Sequence, residues 1–241
     1  MYALIKQITE GNPVFSDSWY GKKIQAYVEA YGINYDFCRL YSSDKGGMIL
    51  VYNSTMTCDG AFDKGELDSF ISILDPITLE ISDPLFKPEG YEEIRKTLFK
   101  GISAENAVNS ENIIVNSCLN DVYAVLEEGF GLTEYDSWYA DTSHRIRHGM
   151  SDVFLWHSTT VTKLFDVKDY VFLSYIATGK ADRGKGRARQ LLYYLCGEYH
   201  KQGKEVYLYA KDERVSFYEG IGFKPVSTEI FYEKKTASIR Q

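Results

Sequence analysis

From Tyr170 to His200 the chain reads YVFLSYIAT, GKAD, RGKGRAR, QLLYYLCGEYH. The first run is almost continuously apolar and rich in β-branched and aromatic residues, which predicts a strand buried on both faces. The last run places Ala188, Leu191, Leu192, Leu195 and Tyr199 on one face of a helix over about 187–202, with Gly203 where a C-terminal cap belongs. A buried strand that hands over to a helix through so short a connection demands a layered α/β fold. It also sets the start of that helix inside Arg183–Arg189, where four basic side chains and two glycines crowd together.

Three phosphate-binding patterns compete for this loop. A P-loop needs GxxxxGK followed by Ser or Thr; Gly179, Gly184 and Lys185 keep the spacing, but Gly186 stands where the hydroxyl is required. A dinucleotide fingerprint needs a small third residue after GxG, and here that residue is Arg189. The pattern Arg/Gln-x-x-Gly-x-Gly/Ala between strand and helix is met fully by Arg183, Gly186 and Ala188. Glycines let successive N–H groups converge, the helix start adds unsatisfied donors, and small Ala188 lets the backbone approach an anion. Arg183, Lys185, Arg187 and Arg189 supply charge, so the expected ligand is a pyrophosphate.

Composition narrows the ligand. The net charge is −7, with 27 Lys/Arg against 34 Asp/Glu over 241 residues. An acidic chain without a broad basic face does not suit nucleic acid, so the loop's anion is a small molecule. No run approaches the roughly 18–20 apolar residues of a membrane span, and the start has no apolar core of signal-peptide length. Cys38, Cys58, Cys118 and Cys196 lie far apart without CxxC spacing, which favours reduced thiols and a cytoplasmic location over zinc or disulfides. His144 and His148 sit at i, i+4, but they lack the glutamate of HExxH and stand beside Arg145 and Arg147, so no metal is expected.

Along the remainder, residues 16–31 predict a helix with an N-cap serine, GGMILVYNSTMTC a strand, 63–74 a helix, and ITLEIS another strand. The polar stretch 101–112 interrupts the pattern and gives the boundary between a first domain, 1–105, and a second, 106–241. DVYAVLEEGFG reads as a helix ended by Gly129 or Gly131. WYADTSHRIRHG, SDVFLWHSTT and TKLFDV read as three strand-like segments. EVYLYA is a strand, DERVSFYEG a short helix and GFKPVSTEIFYEK a closing strand.

IAT, RGKGRA, the helix, EVYLYA and then FYEGIGF together resemble the acetyl-CoA core of the GNAT superfamily of N-acetyltransferases. The resemblance covers residues 111–241. It implies an α/β fold with a mixed, mostly antiparallel central sheet flanked by helices. It further implies that Ile176, Ala177 and Thr178 pair with the pantetheine arm and that Arg183, Gly184, Lys185, Gly186, Arg187 and Ala188 hold the pyrophosphate. Tyr218 of FYEGIGF then protonates the leaving thiolate, and Lys211 stands where family members commonly carry an asparagine beside the arm. Residues 1–100, without any glycine loop, resemble half of a degenerate GNAT unit, the other reading being an unrelated capping domain.

Acetyl transfer to an amine needs a group to accept the amine's proton. Glu134, Asp141 and His144 lie in the polar stretch nearest the acceptor-binding segments of the family, and Asp141 and Glu134 are the expected catalytic bases. Direct transfer in a ternary complex needs no protein nucleophile, so Cys196, mid-helix beside Leu195, reads as core. The expected partners are acetyl-CoA and an amine acceptor, with no metal, nucleic acid or membrane, in a monomer or homodimer. The alternative is a CoA-binding regulatory protein that has lost transfer.

Overall fold

The computed structural model describes residues 5–102 and 110–235. Its elements in chain order are β1 (Lys6–Ile8), α1 (Trp19–Tyr31), β2 (Cys38–Ser42), β3 (Met48–Tyr52), β4 (Thr55–Asp59), α2 (Lys64–Leu74), β5 (Thr78–Ile81) and β6 (Tyr91–Lys100). After these come β7 (Ile114–Val115), α3 (Leu119–Phe130), α4 (Tyr135–Arg147), β8 (Asp152–Trp156), β9 (Thr159–Val167), β10 (Tyr170–Thr178), α5 (Arg187–Lys201), β11 (Glu205–Lys211), α6 (Asp212–Gly220) and β12 (Lys224–Lys234). The chain divides into two compact units, residues 1–96 with 229–241, and residues 97–228. The boundary expected between residues 105 and 106 lies outside the described residues.

In the first unit the strand order is β1-β2-β3-β4-β5-β12. All neighbours pair antiparallel except β4 and β5, which are parallel and joined through α2. Ser18 caps α1 by accepting the Gly21 N–H at 2.9 Å, and Asp63 caps α2 by accepting the Glu66 N–H at 3.2 Å. GGMILVYNSTMTC was expected as one strand and is a hairpin. β3 and β4 pair from Tyr52–Thr55 to Met48–Asp59, turning at Asn53, whose φ of 51° is one that asparagine tolerates. The core against α2 gathers Ile49, Val51, Met56, Cys58, Leu67, Ile71 and Leu79.

The second unit repeats this plan as β6-β11-β10-β9-β8-β7, with β7 to β10 antiparallel in succession and β10 parallel to β11 through α5. It is mixed α/β, its sheet mostly antiparallel and flanked by helices, and differs in element order from the first unit by the added α4 and α6. Side-chain alternation feeds two cores. Phe154, Trp156, Val171 and Leu173 join Leu191, Leu192 and Leu195 of α5 on one face of the sheet. Val153 and Ala177 join Val122, Tyr123, Val125 and Leu126 of α3 and Trp138 of α4 on the other.

One expected strand is a helix. WYADTSHRIR, residues 138–147, lies in α4, which buries Trp138, Thr142 and Arg145 at spacings of four and three residues, and His148 caps the helix. Asp136 stands in its first turn and His144, Arg145 and Arg147 in its last, the charge order that a helix dipole favours. α3 ends at Gly131, left-handed at φ 68°, while Gly129 lies inside the helix with a Cβ position only 2.8 Å from Ala177 Cβ, so glycine lets α3 settle onto β10.

Candidate active site

β10 and β11 pair in parallel from Tyr170–Glu205 to Leu173–Leu208 and then continue, to Thr178 and Lys211, without a further pair between them. The parting coincides with an irregularity in β10, whose register against β9 shifts between Ser174 and Ala177. Tyr175 in that bulge has φ 48°, and bulges re-aim side chains where they occur. Ile176, Ala177 and Thr178 thus lie on the part of β10 that has left β11. Ile176 packs toward the α5 core, Ala177 is buried under α3, and Thr178 Oγ1 lies 3.1 Å from Thr159 Oγ1.

β10 runs out into a short 3-10 turn, Lys180–Asp182, and the basic loop. Gly184 and Gly186 adopt φ of 75° and 72°, a conformation that costs an ordinary L-residue roughly 1–2 kcal/mol. Gly186 is the N-cap of α5 and brings no side chain to cap it. The first backbone bond of the helix is from the Gln190 N–H to the Gly186 carbonyl at 3.0 Å, so the N–H groups of Arg187, Ala188 and Arg189 have no partner within the helix. Uncapped donors, a helix dipole and left-handed glycines that hold side chains away form a place for an anion, and a pyrophosphate suits it.

The basic side chains divide their work. The Arg183 guanidinium donates to the Thr178 carbonyl from Nε at 3.1 Å and to the Glu128 carbonyl from a terminal nitrogen at 3.0 Å. Lys185 pairs with Asp182 at 3.0 Å, which holds the Asp182 carboxyl below its usual range. Arg187 stacks over the Trp156 ring at 4.9 Å, an arrangement that a 31-residue separation in sequence gives no sign of. Arg189 and Lys185 are exposed, and Ala188 is half-buried.

Tyr218, on α6, is buried, with its ring 5.6 Å from that of Phe99 and 5.8 Å from that of Phe223. Burial pushes its phenol up to about 12, against a smaller opposing pull from Arg214, so near pH 7 it keeps its proton. Lys211 is exposed, at the end of β11 and at the N-cap of α6. Asp141, half-buried on α4, forms an ion pair with Arg145 one turn on, and Arg145 is 3% exposed. Glu134 precedes α4 with its side chain exposed. Seven residues of helix rise by about 10 Å, so the structure does not bring the two expected bases together. His144 packs its ring 4.5 Å from that of His148, and burial, His148 and Arg147 lower its pKa. Among the described residues no group of three or more His, Cys, Asp or Glu is placed to hold a metal ion. Cys196 is fully buried among the leucines of α5, its thiol pushed up to about 12 by burial.

Residues 132–237 match the family model of the acetyltransferase (GNAT) domain. No curated protein matches the chain in sequence. Among solved structures the chain is similar to a GNAT-family protein from Novosphingobium aromaticivorans, at TM-score 0.56 and 15% identity over 88% of this chain and 97% of that one. It is also similar to a GCN5-related N-acetyltransferase from Kribbella flavida, at TM-score 0.59 and 10% identity over 93% and 98%. A tandem GNAT protein of the clavulanic acid biosynthesis pathway matches at TM-score 0.51 and 14% identity over 88% of each chain. At these identities the likeness speaks for the fold. Among the described residues no helix is long and apolar enough to cross a membrane.

Proposed function

We propose, from the premise that residues 132–237 belong to the GNAT acetyltransferases, that the protein is an N-acetyltransferase moving the acetyl group of acetyl-CoA directly to a primary amine in a ternary complex. The observation that carries this reading is the parting of β10 from β11 beside the uncapped start of α5. A thioester on a long phosphorylated arm fits an open strand edge that ends at an anion-binding turn. The first-turn N–H groups of α5 and the turn at Gly184 and Gly186 bind the pyrophosphate, with charge from Lys185 and Arg189. The free edge of Ile176, Ala177 and Thr178 orients the arm, with Lys211 across the gap.

Acetyl-CoA, when bound, supplies an activated acyl group whose carbon–sulfur bond breaks as the carbon–nitrogen bond forms. Tyr218 Oη holds the proton that the departing sulfur takes up. Asp141 receives the amine's proton, directly or through water. It is preferred over Glu134 because it is half-buried beside β10, while Glu134 points its carboxylate into solvent at the helix start. The shared element order of the two units supports the reading of residues 1–100 as a degenerate second copy of the same plan.

The test is an assay of the protein with acetyl-CoA and a panel of primary amines, following free thiol, together with calorimetric titration of acetyl-CoA. Transfer to at least one amine is expected. Tight binding without turnover across the panel favours the regulatory reading, for which the ion-paired Asp141 is the supporting observation. Absence of acetyl-CoA binding rejects both.

A further inference from the structure

β10 breaks its own alternation at one residue. Val171 and Leu173 pack into the core against α5, so a strand of period two would send Tyr175 to the same side. Tyr175 packs instead with the α3 and α4 cluster, beside Ala177, while Ile176 takes the α5 side. The inversion is built by the bulge, and Tyr175 stands in it at φ 48°. A non-glycine residue held there is strained, and such strain persists only where surrounding structure over-determines it.

The same residue lies two positions past Leu173–Leu208, the last pair before β10 and β11 part. A ligand arm that starts at the glycine turn and follows the free edge of β10 toward that fork covers five residues, Ser174 to Thr178. These span roughly 15 Å in extended backbone. An arm that spans this stretch brings its reactive end to the fork, beside Tyr175. The Tyr175 phenol, packed with the α3 and α4 cluster, is within electrostatic reach of the Asp141–Arg145 ion pair of α4: burial raises its pKa, Arg145 opposes the rise and Asp141 adds to it. Trp138 Nε1 and Thr142 Oγ1 lie on the buried side of the same helix without a hydrogen-bond partner, and both residues are more than nine-tenths buried. The helix thus brings polar atoms to this side beyond what its own packing uses.

We propose that Tyr175 is the acceptor-positioning residue of the transfer reaction: the bulge turns its ring from the α5 core to the α3 and α4 side of the fork, where its edge forms a wall against which the incoming amine is aligned with the thioester carbon. This inference rests on the proposed acetyltransferase function. The Asp141–Arg145 pair stands within electrostatic reach of the ring, on the side where Asp141 receives the amine's proton, and the hydroxyl, kept protonated by burial, offers one hydrogen bond to the acceptor.

The experiment compares wild type with Tyr175→Asn and Tyr175→Phe in the amine-panel assay, and measures acetyl-CoA dissociation constants by calorimetry. Asparagine tolerates the left-handed backbone, so it removes the ring without removing the bulge. For the best amine of the panel, Tyr175→Asn raises the acceptor KM at least tenfold and changes the ranking of the amines, while acetyl-CoA affinity stays within about twofold. Tyr175→Phe keeps the wild-type ranking with a smaller rise in KM. An unchanged acceptor KM and ranking in Tyr175→Asn overturns the inference, as does an equal loss of acetyl-CoA affinity, which makes the residue part of the cofactor edge. A wild type that transfers to no amine fails the proposed function itself and takes this inference with it, an outcome separate from a failure of Tyr175 alone.

Discussion

Arg183 donates its Nε–H to the carbonyl oxygen of Thr178, 3.1 Å away, and so ties the basic loop to the last residue of the strand that leads into it. Its second bond, to the Glu128 carbonyl, ties the loop to the last turn of α3 as well. From sequence this side chain is expected on the pyrophosphate; in the structure two of its donors bind backbone carbonyls and brace the loop.

The two roles separate by substitution. Arg183→Ala loses the bridge, and acetyl-CoA affinity falls about tenfold as the turn loses its fixed geometry, roughly 1.4 kcal/mol. Arg183→Lys fails to restore it, because one ammonium cannot reproduce the planar fork that reaches both carbonyls. Calorimetry on the two variants decides: full recovery with lysine shows that the residue acts on the ligand as a simple positive charge.

How much of this was legible depends on how local the cause is. The loop and α5 were readable because the turn chemistry of Gly184 and Gly186 and the period of Leu191, Leu192 and Leu195 lie within a few residues of one another. α4 was not, since two of its three buried residues, Thr142 and Arg145, are polar and interrupt the apolar period between Trp138 and Ile146. The hairpin at Asn53 hid in an apolar stretch broken only by Asn-Ser. The stacking of Arg187 on Trp156 and the inversion at Tyr175 come from strand pairing, which a single run of residues does not encode.

Although the two units share their plan, one acetyl-CoA per chain is the expected stoichiometry. In the first unit the pairing of β4 with β5 covers Thr55–Thr78 to Cys58–Ile81, the whole of β5, so no free edge opens. The start of α2 is already capped by Asp63 and carries Glu66 in its first turn, which repels an anion. The opposite face, under α1, holds the largely buried pair of Lys23 with Glu80, at 2.6 Å. Titration should give one site per chain, and acetyl-CoA at a hundred times its dissociation constant adds about 2.7 kcal/mol to the unit that binds it. Two equivalent sites by calorimetry would contradict this account.

His144 gives the protein a component of acid sensitivity. Its pKa is lowered from 6.5, first by burial, then by His148 and Arg147, with Asp141 opposing. The unfolded chain therefore takes up a proton more readily than the folded one. Above about 6.5 both states are neutral at this residue and its contribution is constant; as pH falls below about 6.5 toward the lowered folded value, stability is lost. His144→Asn removes that loss, so its melting temperature should decline less than that of wild type between pH 7.5 and 5.5. Parallel melting curves across that range would assign the acid sensitivity elsewhere.

Tyr218→Phe tests the proton source for the departing sulfur. The ring is fixed by Phe99 and Phe223, and phenylalanine fills the same space, so acetyl-CoA binding and melting temperature should stay near wild type. A phenol raised to about 12 keeps its proton at neutral pH and is available as a donor, but it is a weak acid beside a thiol whose own pKa is about 8.5. A thiolate of that basicity leaves readily without help. The hydroxyl therefore contributes at the low end of general acid catalysis, about ten- to a hundredfold in kcat. Solvent replaces it at high pH, where protonation of the leaving group no longer limits the rate, so the gap between variant and wild type should narrow as pH rises from 7 to 9. If kcat of the variant equals that of wild type at pH 7 with the best amine of the panel, Tyr218 serves only the packing of α6 against Phe99 and Phe223, and water protonates the sulfur.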